Sequence, residues 1–407
     1  MLDFTSLYQN AEACRERVES YYHDLHRIPE ASLQEYKTSE YIETALRDLG
    51  IESFRLDKTG CIALLGGKQT KGKLKTGDQA GRPYTIALRA DIDGLALTEE
   101  TGLPFSSRHD GFMHACGHDG HAAGLLGAAA ILKEWEEELP IRVKLIFQAS
   151  EENTVGAKRL IDLGVLKDVD LVFGLHLFSD IPSGIISVDP GPRMAQTDRF
   201  HIRFLGRGGH AAKPQLCLDA TVMAAGFVTD LQSLVAREID PLESAVATVG
   251  SFHSGSQYNV ISGQADLEGT CRCYSPQISG KLEEGIRRRA LASAVSLGGQ
   301  AQVTYTAACH PPVVNDPSFA AGLLATGKKR MRPEEFQTVG PLMLGEDFSW
   351  YQKYLPGVFA FVGCGQPGQT VYPNHHPRFC IDPEALSRAC LLHLCAVETA
   401  CLLQGTS

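Results

Sequence analysis

The sequence predicts an α/β protein with a second, α+β domain inserted into the first. Three observations lead to this fold class. Strands and helices alternate along the first part of the chain, a Pro/Gly cluster at 190–192 interrupts them, and a β-α-β-β-α-β order follows. Segments of the first type then return. We therefore expect a discontinuous first domain, 1–191 and 308–407, around an inserted domain, 192–307.

The first domain is expected to begin with helices and to continue as alternating strands and helices. Apolar residues spaced three and four apart, from Leu7 and Ala11 to Leu25, predict one helix, and Tyr41–Leu49 before Gly50 predicts another. The pattern then predicts strands at 84–91, 143–148 and 170–177 and helices at 121–138 and 155–163. This alternation favours a largely parallel sheet, and such sheets carry their chemistry in the loops that follow the strands.

The inserted segment is expected to form a ferredoxin-like domain. Phe200, Ile202 and Phe204 alternate as a strand. The pattern beyond them predicts helices at 218–235 and 279–296 and strands at 245–251, 265–274 and 302–306. The resulting order is that of the split β-α-β unit.

Composition and charge indicate an ordinary compact, soluble protein. The chain has 407 residues, 43% of them apolar, and a net charge of −10 from 38 basic and 48 acidic side chains. This acidic balance disfavours nucleic acid or an anionic membrane as a partner. The longest low-charge stretches, around 121–132 and 220–228, are too short to span a bilayer, and Met1–Pro29 lacks the features of a signal peptide. We therefore expect a cytoplasmic protein that binds neither nucleic acid nor membrane.

The densest group of chemically active side chains is HACGHDGH at 114–121. Cys116 and His118, two residues apart, can bind one metal centre. Two other interpretations stay open: a polar loop around a buried cysteine, and a Cys/His nucleophilic hydrolase, although nothing nearby in the sequence orients the histidine. The other cysteines of the twelve are scattered among apolar neighbours, which is typical of buried, reduced thiols.

Further candidate side chains follow other predicted strands. Glu151 and Glu152 come directly after one strand, where two adjacent carboxylates are costly without a cation. His176, His375 and Asp91 also lie at or after strand ends. Each has a simpler interpretation as a helix start, a core or surface histidine, or a turn residue. Together they favour a metal site, and five ligands with a free carboxylate fit two bridged ions better than one.

One motif resembles a nucleotide-binding loop but lacks its context. GRGGHA at 206–211 fits a glycine-rich fingerprint after a strand, yet Lys213 and Pro214 follow where a helix should open. We therefore do not predict nucleotide binding.

The motifs, in their order and spacing, resemble a known family. They are RADIDG, HACGHDGH, the Glu151-Glu152 pair, GLH, GRGGHA, GEDF and HHP. The sequence is similar to the dinuclear metallo-amidohydrolases and peptidases that include aminoacylases and carboxypeptidases. Within them it resembles the branch of hippurate hydrolases, auxin-conjugate (IAA-amino acid) hydrolases and N-acyl amino acid deacetylases. The resemblance implies a zinc-peptidase-like α/β catalytic domain with an inserted ferredoxin-like lid and dimerisation domain.

The resemblance also implies a role for each matching residue. The metal ligands would be Cys116, His118, Glu152, His176 and His375, with Glu151 as general base and Asp91 as an acid behind the ligands. His210 and Asn259 would polarise the scissile carbonyl, often in the opposite subunit, and Arg272 would bind a substrate carboxylate. The alternative for Arg272 is a surface charge, and its neighbours Cys271 and Cys273 are interpreted as core. Glu346 and Asp347 are expected to support the site from a loop.

These matches imply metal-assisted hydrolysis of an N-acyl or N-aroyl amino acid. The expected cofactors are two divalent ions per subunit, Zn²⁺ or Mn²⁺ first and Co²⁺ or Ni²⁺ as alternatives. The expected assembly is a homodimer or homotetramer through the inserted domain. A carboxypeptidase or dipeptidase on the same scaffold is the alternative activity, and a non-catalytic ligand-binding relative is a remote one. The sequence departs from the family at Ala149-Ser150, at Asn153–Val155, at Ser262 and at Leu344, which affects the expected shape of the substrate pocket and no ligand.

Overall fold

The computed structural model describes Phe4, Thr5, Tyr8 and residues 14–67, 82–366, 368 and 370–406. The described helices are α1 (Arg15–His26), α2 (Tyr36–Asp48), α3 (His118–Glu134), α4 (Gly156–Asp162), α5 (Ala220–Glu238), α6 (Pro276–Ser296), α7 (Pro317–Arg330), α8 (Ser349–Gln352) and α9 (Pro383–Thr406). The described strands are β1 (Ser53–Phe54), β2 (Cys61–Gly66), β3 (Thr85–Asp91), β4 (Arg142–Gln148), β5 (Leu171–Pro182), β6 (Ile186–Ser187), β7 (Gly191–Met194), β8 (Gln196–Leu205), β9 (Gly209–His210), β10 (Ala245–Ser254), β11 (Val260–Ile261), β12 (Gln264–Cys273), β13 (Gln300–His310), β14 (Val313–Asn315) and β15 (Gly357–Gly365).

The chain divides into two compact units. Unit 1 holds the chain up to Arg193, Val314–Gly340 and the chain from Asp347 onward, and unit 2 holds Met194–Val313 and Pro341–Glu346. The sequence predicts limits of 192 and 307 for the insertion. It did not predict that a second, short segment joins the inserted unit.

Unit 1 is built on a seven-stranded mixed sheet in the order β1-β2-β4-β3-β5-β15-β6. Strands β4, β3, β5 and β15 are parallel, as the alternation of strands and helices predicts. Strands β1, β2 and β6 run antiparallel to their neighbours. The α/β class is thus confirmed, with antiparallel strands at both edges of a parallel centre.

Helix α3 is the central helix of unit 1. It begins at His118, three residues before the start that the sequence predicts, because Gly117 takes a left-handed conformation (φ 94°) that ends the preceding loop. Residues 118–132 are all buried. A Cβ at Gly124 would lie 2.9 Å from the Cβ of Ala389, so glycine allows α9 to pack directly on α3. For the predicted first helix, Leu7 and Ala11 lie outside the described residues.

Helix α9 corrects one expectation from the sequence. Its segment Pro383–Gly405 is long and apolar enough, by length and composition alone, to cross a membrane, so 121–132 and 220–228 are not the longest low-charge stretches. Within the protein, 72% of its apolar window is buried. Apolar composition on all sides is what a helix in the middle of a large core requires.

Unit 2 has the ferredoxin-like topology. Its antiparallel sheet has the order β10-β12-β8-β13, and β8-α5-β10-β12-α6-β13 gives the expected β-α-β-β-α-β sequence of elements. Helices α5 and α6 cover one face through a core that includes Phe200, Phe227 and Leu282. Cys271 and Cys273 are fully buried in that core, which confirms their interpretation. The short strands β9 and β11 pair outside the main sheet.

A buried ion pair joins α1 to the first turn of α3. His26, the last residue of α1, places Nδ1 2.6 Å from Asp119 Oδ2 and Nε2 3.4 Å from Glu99 Oε1. Burial alone would lower the pKa of His26, but the two carboxylates outweigh it and raise that pKa to about 9. The imidazolium form is therefore the one that holds these segments together at neutral pH.

We expect His26→Gln to lower the free energy of unfolding by roughly 3 kcal/mol near pH 6, because a raised pKa is a stability term. The folded-state pKa of His26 lies above the unfolded one. The difference between wild type and variant should therefore be full below about pH 6.5 and disappear as the pH rises through about 9. Urea unfolding from pH 5 to pH 10 measures it, with His23→Gln as control. A difference that stays constant over this range would contradict the assignment.

Candidate metal centre

The predicted metal ligands converge at one edge of the sheet of unit 1. Glu152 follows β4, His176 lies within β5, and Cys116 and His118 stand at the start of α3. His375 lies in the chain after β15, where its backbone N–H donates to Ala115 O at 2.7 Å. Strands β4, β5 and β15 are parallel, so the residues that follow β4 and β15 lie at the same edge of the sheet as the part of β5 that continues past its pairing with β3, where His176 lies. The structure thus brings together all five ligands that the resemblance implies.

The donor atoms form overlapping groups of three. Cys116, His118 and His176 form one group, and Cys116, Glu152 and His375 form another, with the donor atoms of each group within 4.8 Å of one another. Cys116 Sγ lies 3.4 Å from His176 Nε2 and 3.3 Å from His375 Nε2. Cys116 therefore belongs to both groups, as a ligand shared by two ions would.

Two of the predicted ligands, His118 and His176, have their Nδ1 atoms bound by other groups of the protein. His118 Nδ1 lies 2.9 Å from Asp93 O and 3.1 Å from Asp93 Oδ1, and His176 Nδ1 lies 3.0 Å from Leu177 O. Such contacts fix the orientation of both rings and leave Nε2 toward the centre. His118 Nε2 is buried and has no hydrogen-bond partner among the described residues.

The electrostatics of the group fit a bound cation. Burial, reinforced by the Glu152 carboxylate, raises the pKa of the Cys116 thiol well above its usual value. Burial also lowers the pKa of His176 well below its usual value, which favours the neutral, metal-binding form of the ring. A divalent cation is the group that would turn Cys116 into a thiolate. The thiol, imidazole and carboxylate donors present are thus suited to divalent metal ions.

Glu151 lies beside this group, on a tight loop between β4 and α4. It is 8% exposed, and its Oε1 accepts a hydrogen bond of 3.3 Å from the backbone N–H of Asp347. Glu151, Glu152 and His118 together form a further set of donors within 4.8 Å of one another. A carboxylate in this position can exchange a proton with a group bound at the metal site.

A buried arginine lies beneath the site. Arg89 is fully buried and donates to Asp91 Oδ2 at 2.7 Å and to Asp347 Oδ1 at 2.8 Å.

Asp91 also contacts a histidine of α3. It lies 2.5 Å from His121 Nδ1, and His121 Nε2 accepts from the backbone N–H of Leu177 at 2.9 Å. Asp91 is thus held against His121 and Arg89, while Asp93 is the acid that binds the ring of His118.

Replacing Arg89 with Met is expected to destabilise the protein by about 3–5 kcal/mol, because two buried carboxylates lose their common cation. Urea unfolding at pH 7 measures the loss. The control is Arg82→Met, which removes a partly exposed pair with Asp170 and should cost less than about 1 kcal/mol. Equal losses for the two variants would show that burial of Arg89 carries no special weight.

Three further residues contact the predicted site residues or the segments that carry them. Asp93 binds His118, and His121 binds Asp91. Asn374 Nδ2 donates to Cys116 O at 3.0 Å and to Leu177 O at 3.1 Å, which ties the His375 loop to two ligand segments. Asp93 and His121 stand inside quoted motifs and Asn374 directly precedes the HHP motif, yet only the folded geometry shows what they contact.

The predicted substrate residues lie in unit 2. Strands β9 and β11 place His210 opposite Val260, and the N–H of Ala211 donates to Asn259 O at 3.1 Å, so His210 and Asn259 are neighbours. Arg272 is half-buried on the open face of β12 and donates to Thr197 Oγ1 at 3.2 Å and to Met343 O at 3.1 Å. Both contacts lie within unit 2.

The α/β fold and the cluster of metal-binding side chains indicate a metalloenzyme, and comparison with known sequences agrees with this class. The profile of peptidase family M20/M25/M40 matches residues 87–399, and the chain belongs to this family. It is 36% identical to an N-acetyl-L-cysteine deacetylase of Bacillus subtilis, over 90% of this chain and 83% of that one. It is 33% identical to thermostable carboxypeptidase 1 of Saccharolobus solfataricus, over 91% of each chain.

A solved structure shows the same fold. The Bacillus subtilis YXEP protein, described as a dinuclear metal binding peptidase from the M20 family, superposes with a TM-score of 0.81 at 34% sequence identity. The match covers 97% of this chain and 99% of that one. The family that the motifs resemble is thereby confirmed.

Proposed function

We propose that the protein is a metal-dependent amidohydrolase that cleaves the amide bond of N-acyl or N-aroyl amino acids. The observation that carries the proposal is the pair of donor groups that share Cys116, with Glu151 beside them. Relatives that are named as deacetylases support this substrate class.

Cys116, His118, Glu152, His176 and His375 would hold two divalent ions. When bound, such ions supply the Lewis acidity that activates a water and polarises an amide carbonyl. The mixed sulfur, nitrogen and oxygen donors suit Zn²⁺ or Mn²⁺, with Co²⁺ or Ni²⁺ as alternatives. Asp91 would support the centre through His121 and Arg89, and Asp93 would orient His118.

Glu151 would act as the proton carrier. Its carboxylate accepts a proton from the attacking water and later donates it to the leaving amine, since the amine is a poor leaving group until it is protonated. The hydrogen bond from Asp347 N–H to Oε1 fixes the carboxylate for both transfers. General acid and general base are thus one residue.

The residues of unit 2 would recognise the substrate. His210 and Asn259, brought together by β9 and β11, would polarise the scissile carbonyl, and Arg272 would bind the substrate carboxylate. We assign unit 1 as the catalytic domain and unit 2 as a lid that also pairs subunits into a cytoplasmic homodimer or homotetramer. In support, β10 is a ten-residue edge strand of its sheet within the described residues.

A substrate panel tests the function. Purified protein is stripped with a chelator, reloaded with Zn²⁺, Mn²⁺, Co²⁺ or Ni²⁺, and assayed on N-acetyl and N-benzoyl amino acids and on dipeptides. The proposal requires hydrolysis of N-acyl amino acids that is lost on chelation and restored by metal. Preference for dipeptides would favour the carboxypeptidase alternative, which the carboxypeptidase relatives support. Metal binding without turnover of any substrate would favour a non-catalytic relative.

A further inference from the structure

We propose that Asp347 is the positioning residue of Glu151 and that its carboxylate holds both ends of the loop that carries this base. The inference rests on the proposed function, because it takes Glu151 as the proton carrier. It adds that Asp347 determines the position of the Glu151 carboxylate and that Gln148 is the hydrogen-bond partner of Asp347.

The contacts of Asp347 bracket the Glu151 loop. Gln148, the last residue of β4, donates through Nε2 to both carboxylate oxygens at 2.9 Å. Ala157, at the start of α4, donates its backbone N–H to Oδ2 at 2.9 Å. One carboxylate therefore binds the residues on either side of the loop, while the N–H of the same residue donates to Glu151 Oε1.

The backbone of the loop that carries Glu151 is strained and needs contacts from outside the loop to hold it. Ser150 and Thr154 both have positive φ angles, 69° and 65°, although neither is glycine. Conformations of this kind are unfavourable for residues other than glycine and persist only where the surroundings hold them. A Cβ at Gly156 would lie 1.9 Å from Ala149 O, so the two ends of the loop also approach closely. The anchoring contacts of Asp347 offset this strain.

The anchor itself is rigid. Asp347 is fully buried, and Arg89 donates to its Oδ1 at 2.8 Å. The other side of Gln148 is fixed as well, because its Oε1 accepts from Arg89 Nε at 3.0 Å and from the Tyr351 hydroxyl at 2.8 Å. Arg89 and Gln148, which both bind Asp347 directly, thus hold the anchor, and the Tyr351 hydroxyl adds only a second contact to Gln148 Oε1 beside that of Arg89 Nε.

The experiment replaces Asp347 by Asn, which keeps its size. An amide presents one acceptor oxygen, so its NH₂ faces the Ala157 N–H or the Arg89 guanidinium, and Gln148 Nε2 in either orientation; the contact that joins the two ends of the loop is therefore weakened. We expect kcat for an N-acetyl amino acid to fall about a hundredfold, because a displacement of about 1 Å can cost that much. We expect KM to change by no more than about threefold and metal content to stay the same, since neither substrate contacts nor ligands are altered.

Two further variants distinguish the positioning of Glu151 from a general contribution of Asp347 to stability. Tyr351→Phe removes a hydrogen bond to the same Gln148 but leaves Asp347 in place, so kcat should stay within about threefold. The double variant Gln148→Glu with Asp347→Asn exchanges acid and amide across the same contact and should recover much of the lost kcat. Positive coupling between the two sites is what a shared contact predicts.

Hydrogen exchange gives a readout that does not depend on turnover. In Asp347→Asn the amides of residues 150–157 should exchange faster, while those of α9 should not change. Unchanged exchange in this loop, or a fall in kcat no larger than that of Tyr351→Phe, overturns the inference. If wild-type protein hydrolyses no amide, the proposed function fails, and the exchange result alone then decides whether Asp347 holds the loop.

Discussion

Replacing Glu151 with Gln is expected to lower kcat for an N-acyl amino acid by about three orders of magnitude, within the range that general acid–base catalysis supplies. The amide can keep the hydrogen bond that Oε1 accepts from Asp347 N–H, so the side chain should stay in place. It cannot accept the proton of the attacking water or return it to the amine. Steady-state kinetics over pH 5 to 9 measure the loss.

The interpretation requires that Glu151→Gln keep its fold and its metal. Thermal unfolding and metal analysis of the same preparation test this. Glu100→Gln, at an exposed glutamate paired with Arg378, is the matched control and should keep full activity. Retention of more than a tenth of the wild-type kcat by Glu151→Gln would contradict the role of this residue as proton carrier.

Replacing Cys116 with Ala is expected to reduce the bound metal by at least one ion per chain and to lower activity to the level of the chelated protein. The reason is that Cys116 belongs to both donor groups, so its loss removes one ligand from each. Elemental analysis after dialysis, together with the activity assay, measures both effects. No other single substitution in the centre is expected to affect both groups through a thiolate.

Cys364→Ala is the matched control for this result. Cys364 is a free thiol on β15 in the same unit, is fully buried, and has a pKa that burial raises well above its usual value. Its removal should cost some stability through lost packing and leave the metal content unchanged. If Cys116→Ala retains the metal content of wild type, the shared-ligand assignment is wrong.

The parallel centre of unit 1 was predictable because its strands are buried on both faces. The predicted strands at 84–91, 143–148 and 170–177 correspond to β3, β4 and β5, which are rich in apolar residues and buried over most of their length. Short strands such as β1 and β6 carry no such pattern, since two residues cannot show a period. The start of α3 was misplaced because Gly117 acts through its backbone angle, which composition does not express.

The candidate site, like the fold, could be predicted from the sequence only in part. Cys116, His118 and the adjacent glutamates are dense enough in sequence to indicate metal chemistry. Asp93 is two residues from Asp91 in the same motif, and only the fold shows that it is Asp93 that binds His118. The 341–346 segment was not predicted to join unit 2, because its contacts, such as Met343 O with Arg272, depend on side chains 71 residues away.

Unit 1 is discontinuous in the chain, and this affects how the protein folds during its synthesis. Strand β5 pairs on one side with β3 and on the other with β15, which lies beyond the insertion in the chain, as does the core helix α9. While the ribosome is still translating the insertion, β5 keeps an apolar, unpaired edge. Such edges promote aggregation. Most of unit 2, by contrast, is continuous and can fold during this interval. Chaperone supply and translation speed should therefore affect the yield of active enzyme more than the stability of the finished protein would suggest.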